Sequence, residues 1–136
     1  MKGRAIFRMT LFLAVLMLAG LACSFSASTA NISEATLARD EEGQEPVTVF
    51  SPEDTFYLIV DLANAPADTK VRAAWTAVEV EGTEPNLFLD ESELASESGT
   101  LTFNLSNDNL WPNGTYKVDL YLNDELDQTL EFSVEG

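Results

Sequence analysis

Apolar and polar residues alternate along most of this chain, in short runs broken by turn residues. In residues 55–63, Phe56, Leu58, Val60 and Leu62 fall on one face, and Tyr57, Ile59 and Asp61 on the other. In residues 70–80, Val71, Ala73, Trp75 and Ala77 point one way, and Lys70, Arg72, Ala74 and Thr76 the other; Val78 and Val80 then swap the phase. Residues 99–105 bury Leu101, Phe103 and Leu105. Tyr116, Val118, Leu120 and Leu122 alternate with Lys117, Asp119 and Tyr121, and Leu126, Leu130, Phe132 and Val134 supply the inward set of residues 126–134. A period of two marks a strand with one buried face. The phase swap near Ala77 predicts a bulge or a strand end there.

Between these strands stand turn signals: Ser51-Pro52-Glu53-Asp54, Asn64-Ala65-Pro66, Gly82-Thr83-Glu84-Pro85 and Pro112-Asn113-Gly114. Residues 32–38 fit neither period cleanly. They read as a first strand, with a short helix as the alternative, and residues 40–44 turn the chain back into residues 46–50. Residues 86–89 read as a brief strand. Residues 90–98 read as an acidic connection in which Leu94 plugs into the core.

The last hairpin has a derivable register. Residues directly opposite share a face, so paired numbers must sum to an even value. A three-residue loop at Asn123-Asp124-Glu125 gives 248. This sets Lys117 opposite Glu131 and Tyr121 opposite Asp127.

Seven or eight short strands and no long amphipathic helix predict an all-β antiparallel sandwich over residues 31–136. The motif Leu110-Trp111-Pro112-Asn113-Gly114-Thr115-Tyr116 resembles the corner before the sixth strand of the immunoglobulin and fibronectin type III superfold, with Tyr116 as its corner tyrosine. Trp75 resembles the buried Trp of that fold's third strand. The superfold's inter-sheet cysteines are missing, which departs from the antibody subtype alone. The resemblance implies structural roles for Trp75 and Tyr116.

The first 22 residues read differently. Lys2, Arg4 and Arg8 open the chain, and residues 9–22 are an uncharged run of 14. A membrane-spanning helix needs about 20, so a secretory signal is predicted. Leu18-Ala19-Gly20-Leu21-Ala22-Cys23 resembles the lipobox of bacterial lipoproteins. Ala22 fits that pattern, while Gly20 and Leu21 depart from it. Membership implies cleavage before Cys23, lipid on its sulfur, and a membrane anchor on the bacterial envelope. Cleavage after Ala30 is the alternative. Residues 23–30 would be a tether. The Phe50-Ser51-Pro52 and Asn64-Ala65-Pro66 signposts are also similar to those of bacterial surface lipoproteins.

Composition narrows the function. Cys23 is the single cysteine, so no disulfide can form within the chain. Beyond it stand four cations (Arg39, Lys70, Arg72, Lys117) against 23 carboxylates, a side-chain balance of −19. Such a surface repels nucleic acid and anionic membranes. The chain has no histidine, the commonest general base and metal ligand. No Gly-rich phosphate loop is present. The expectation is therefore not an enzyme but a binding or accessory module for another macromolecule, an unidentified protein or glycan. Calcium is the one candidate cofactor. Asp90-Glu91-Ser92-Glu93, Asn107-Asp108-Asn109 and Asn123-Asp124-Glu125-Leu126-Asp127 offer oxygens, though none with helix-loop-helix spacing. A calcium- or glycan-binding module is the alternative function. Trp111 reads either as a cover over the core or as a sugar platform. Three of the four cations fall on one predicted outer face with Asp119 and Tyr121. Arg72, Lys117, Asp119 and Tyr121 are therefore the candidate binding residues, and Arg72 is expected to reach Asp119 or the surroundings of Lys117. The bland alternative is ordinary cross-strand charge pairing.

Overall fold

A computed structural model describes residues 29–136 as eight strands in two sheets. In chain order the strands are β1 Asn31–Ala38, β2 Val49–Phe50, β3 Phe56–Ala63, β4 Thr69–Val80, β5 Leu87–Ser96, β6 Gly99–Leu105, β7 Gly114–Leu122 and β8 Glu125–Val134. One sheet has the order β1-β3-β6 and the other β2-β8-β7-β4-β5. The signal, Cys23 and most of the tether lie outside the described residues.

The alternating apolar positions supply the core. Phe56, Leu58, Val60 and Leu62 from one sheet meet Val71, Ala73, Trp75, Tyr116, Val118 and Leu120 from the other, all buried. Phe56 is the hub of an aromatic cluster. It stacks on Trp111 at 4.4 Å and on Trp75 at 6.1 Å, and meets Phe50, Tyr116 and Phe132 edge-on. Burying large aromatic surfaces in edge and stacked geometry is the main apolar gain a sandwich of this size has.

Four details depart from the sequence reading. Residues 46–50 do not pair back as a full strand. The 40–44 turn forms as expected: Gly43 takes φ +73°, and the Asp40 carboxylate accepts the amides of Gln44 and Glu45, which hold its pKa below the usual value. Pro46 then makes a single bridge to Ala38, and Val49–Phe50 crosses to run parallel to β8. The bonds on either side of Pro46 form, Arg39 N–H to the Glu45 carbonyl at 3.1 Å and Val47 N–H to the Leu37 carbonyl at 3.0 Å. The pairing ends after them because the Thr48 and Phe50 carbonyls accept the Ser133 and Glu135 amides of the other sheet.

The second departure is β5. Residues 90–96 extend the short strand expected at residues 86–89 into a ten-residue edge strand along β4. A bulge at Leu89 flips the phase, so Leu87 and Leu94 share a face despite their odd and even numbers. Leu94 stays 38% exposed and plugs nothing, because β5 lies at the sheet edge.

The third lies in the β7–β8 hairpin. The sum of 248 holds from Gly114↔Val134 to Leu120↔Gln128 and includes Lys117↔Glu131. Beyond it the pairs become Tyr121↔Leu126 and Leu122↔Glu125. The turn has two residues: Asn123 and Asp124 take φ +48° and +69°. Such a turn matches the twist of the strands, and a bulge at Asp127 absorbs the parity mismatch. Leu126 therefore faces out, 58% exposed, instead of inward. The fourth is Ala74, expected outward yet buried, since it sits between Asp119 and Glu91 on its two neighbouring strands.

The bulge expected near Ala77 is present, between Ala77 and Glu79 on the β7 side.

Candidate binding face

The outer face of the five-stranded sheet gathers four of the five candidate binding residues. Alternation on β4 puts Lys70 and Arg72 outward, and alternation on β7 puts Lys117, Asp119 and Tyr121 outward. The β4–β7 register sets Arg72 beside Tyr121, Ala74 beside Asp119 and Thr76 beside Lys117. The Arg72 guanidinium lies over the Tyr121 ring, 4.0 Å from its centroid. A cation over an exposed aromatic face stabilises by about 0.5–1 kcal/mol.

Arg72 does not bond Asp119. Its Nη1 pairs with Glu91 Oε2 at 3.2 Å, on the other side of β4. That partner exists because the acidic segment is a strand and not a connection. Asp119 is occupied elsewhere: Lys117 Nζ stands 3.3 Å from its Oδ2, and the Thr129 hydroxyl donates to its Oδ1 at 2.6 Å. Lys70 lies 3.9 Å from Asp124, and Arg39 is 3.1 Å from Asp54. Each of the four cations among the described residues thus has a carboxylate partner. These pairs are exposed or half-exposed, so each adds no more than about 0.2–1 kcal/mol and a competing ligand can exchange for it.

The hairpin is held onto this face by its turn. Asn123 Oδ1 accepts the Lys70 amide at 3.0 Å, and the Asn123 amide donates back to the Lys70 carbonyl at 2.9 Å.

Trp111 is not on this face, and its burial fits the reading as a cover over the core. It is 7% exposed, its ring stacked on Phe56. Its indole N–H donates to the Asp54 carbonyl at 2.9 Å, and its amide donates to the Pro52 carbonyl at 2.8 Å. The apolar ring gains more from covering the end of the core than from water. Trp75 and Tyr116 are both buried, the former 1% exposed. Burial pushes the Tyr116 phenol up to about 12.

The three calcium candidates are dispersed. Asp90-Glu91-Ser92-Glu93 lies along β5, with Glu91 committed to Arg72. Asn107 Oδ1 accepts the Asn109 amide, and Asp124 faces Lys70. Among the described residues no group of three or more acidic, cysteine or histidine side chains is placed to hold a metal ion.

Sequence reasoning missed Glu91, Phe88 and Leu126 as members of the outer face. The signal for Phe88 and Glu91 was the change of parity between Leu87 and Leu94, the same mark that was read correctly at Val78 and Val80.

No protein-family model matches the chain, and no curated protein matches it. Solved structures do. A β-glucosidase from Listeria innocua superposes with TM-score 0.53 at 16% identity over 80% of this chain, which spans only 16% of that enzyme. The alkylpurine DNA glycosylase AlkC of Pseudomonas fluorescens gives TM-score 0.53 at 15% identity, over 83% of this chain and 32% of that one. An immunoglobulin-like protein from Pseudomonas aeruginosa gives TM-score 0.50 at 15% identity, over 79% of this chain and 98% of that one. At such identities the likeness is one of fold, and a fold hosts many activities. Residues 29–136 have the immunoglobulin-like β-sandwich fold.

Proposed function

We propose that this chain is an exported lipoprotein, anchored to the bacterial envelope through Cys23, whose sandwich is a non-catalytic binding or accessory module for another macromolecule. Its binding face is the outer side of the five-stranded sheet. One observation carries this reading: the Arg72–Tyr121 stack lies on the outer sheet face of an otherwise acidic protein. Arginine and tyrosine are the residue types that anchor protein interfaces. The lipobox-like run ending in Ala22-Cys23 supports the anchor, and the absence of histidine supports a role without catalysis. The loop-borne calcium or glycan alternative has lost Trp111, its aromatic surface.

The test is capture from a solubilised envelope extract by the wild type and by Arg72→Gln/Lys117→Gln. The variant should melt like the wild type and lose its partner, whereas full retention by the folded variant would refute the assignment of the face. Detergent phase partitioning tests the anchor. Wild type should enter the detergent phase and Cys23→Ala should not; mature wild type beginning at Asn31 in the aqueous phase would overturn it.

A further inference from the structure

We propose that the free edge of β5 is a docking strand for an extended cationic segment of a partner protein, which adds to the five-stranded sheet beside β5. This site adjoins the Arg72–Tyr121 face, with which it shares Phe88 and Glu91, but it uses the edge of the strand and does not rest on the proposed function of that face.

β5 ends its sheet. It pairs with β4 along one side, and among the described residues no strand pairs with the other. Alternate residues of this ten-residue strand therefore turn their amide and carbonyl groups to that side, while the Glu91 amide is already taken by Asp90 Oδ1 at 2.9 Å. Such an edge is a template for another chain, and main-chain bonds supply most of the affinity when one adds.

The side chains decide which chain can add. Asp90, Glu91 and Glu93 crowd the middle of the strand, and all three are exposed. Glu91 is neutralised by Arg72. Asp90 accepts only its neighbour's amide, and among the described residues the Glu93 carboxylate has no partner. Two copies of this edge laid antiparallel would set these carboxylates against each other, and like charges directly opposite are destabilising. Self-association through β5 is thus disfavoured. The carboxylates that repel a second copy attract a segment rich in lysine or arginine. Phe88, 57% exposed, and Leu94 bracket the acidic stretch and give that segment apolar contacts at both ends.

The test uses the purified full-length chain and a synthetic peptide alternating lysine with valine or threonine over about seven residues, the length of a typical strand. Hydrogen exchange of residues 87–96 should slow by about tenfold when the peptide is bound. The same peptide N-methylated at alternate residues cannot complete a ladder and should lose binding. Asp90→Asn/Glu93→Gln should weaken binding by about fivefold or more and flatten its salt dependence. Lys117→Gln, whose charge pairs with Asp119 and not with β5, should still bind, which separates this site from the outer face. Equal binding of the N-methylated peptide would mean attraction by charge alone and would overturn strand addition. So would protection elsewhere in the sandwich, or no binding at about 1 mM, the weak end of specific recognition.

Discussion

The Tyr116 hydroxyl donates a 2.6 Å hydrogen bond to the carbonyl of Pro112, four residues upstream. It closes the corner between the Trp111 loop and β7, and it does so from inside the core. Tyr116→Phe leaves that carbonyl without its partner. The expected cost is about 1–3 kcal/mol, read from the midpoint of a urea melt at unchanged slope.

Burial of the same hydroxyl gives the protein an alkaline limit. The phenol's folded-state pKa is raised, from 10.0 to about 12, because burial disfavours the charged form. A raised folded pKa contributes stability that is fully present below the unfolded value and lost as pH rises through the folded one. Stability should therefore fall between pH 10 and about 12. Unfolding followed across that window should show the fall in the wild type and a smaller one in Tyr116→Phe.

Gly114 is irreplaceable for a steric reason. Its φ is +150°, and a Cβ there would stand 2.3 Å from the Glu79 carbonyl oxygen and 2.6 Å from the Val80 Cα. Both are backbone atoms of the bulged end of β4 and cannot rotate away. Gly114→Ala should cost well over about 1 kcal/mol, as substitutions incompatible with the native backbone do. Thermal denaturation measures it. Gly99, at nearly the same φ of +151° but with open space where its Cβ would stand, is the matched control.

Trp75→Ala should cost about 3–5 kcal/mol, the range for truncating a buried aromatic residue. The indole packs between Phe56 and Phe132, so the hole cannot be filled by solvent-side rearrangement. Chemical denaturation showing less than about 0.5 kcal/mol would place the ring at the surface.

The two-residue hairpin turn predicts opposite signs at adjacent positions. Asp124 sits at φ +69° with an exposed side chain, so Asp124→Gly should stabilise by up to about 1 kcal/mol. Asn123→Ala loses the bond to the Lys70 amide and forces alanine to φ +48°, and should destabilise by about 1–2 kcal/mol. Paired melts of the two variants check the sign.

The sequence by itself determined the sandwich, because period-two alternation leaves each strand one way to bury its apolar face. The phase of nearby apolar residues turned Trp75 and Tyr116 inward and marked an irregularity near Ala77, where a bulge stands. The opposition of Lys117 to Glu131 holds although the three-residue turn it was drawn from is absent, because the bulge at Asp127 makes up the difference. What it could not decide were the places where a local rule meets a competing one. The Asn123-Asp124 turn chose the geometry its φ angles favour and pushed the parity error into a bulge, which turned Leu126 outward. Residues 48–50 left β1 for the other sheet, where their carbonyls accept the Ser133 and Glu135 amides. The acidic residues of β5 look like a loop when judged by polarity; only β4, lying beside them with free hydrogen-bonding groups, makes them a strand. That strand in turn took Arg72 away from Asp119. Pair identities on the outer face depend on which strand borders which. No spacing along a single chain contains that information, because it is set when distant segments meet around a shared core.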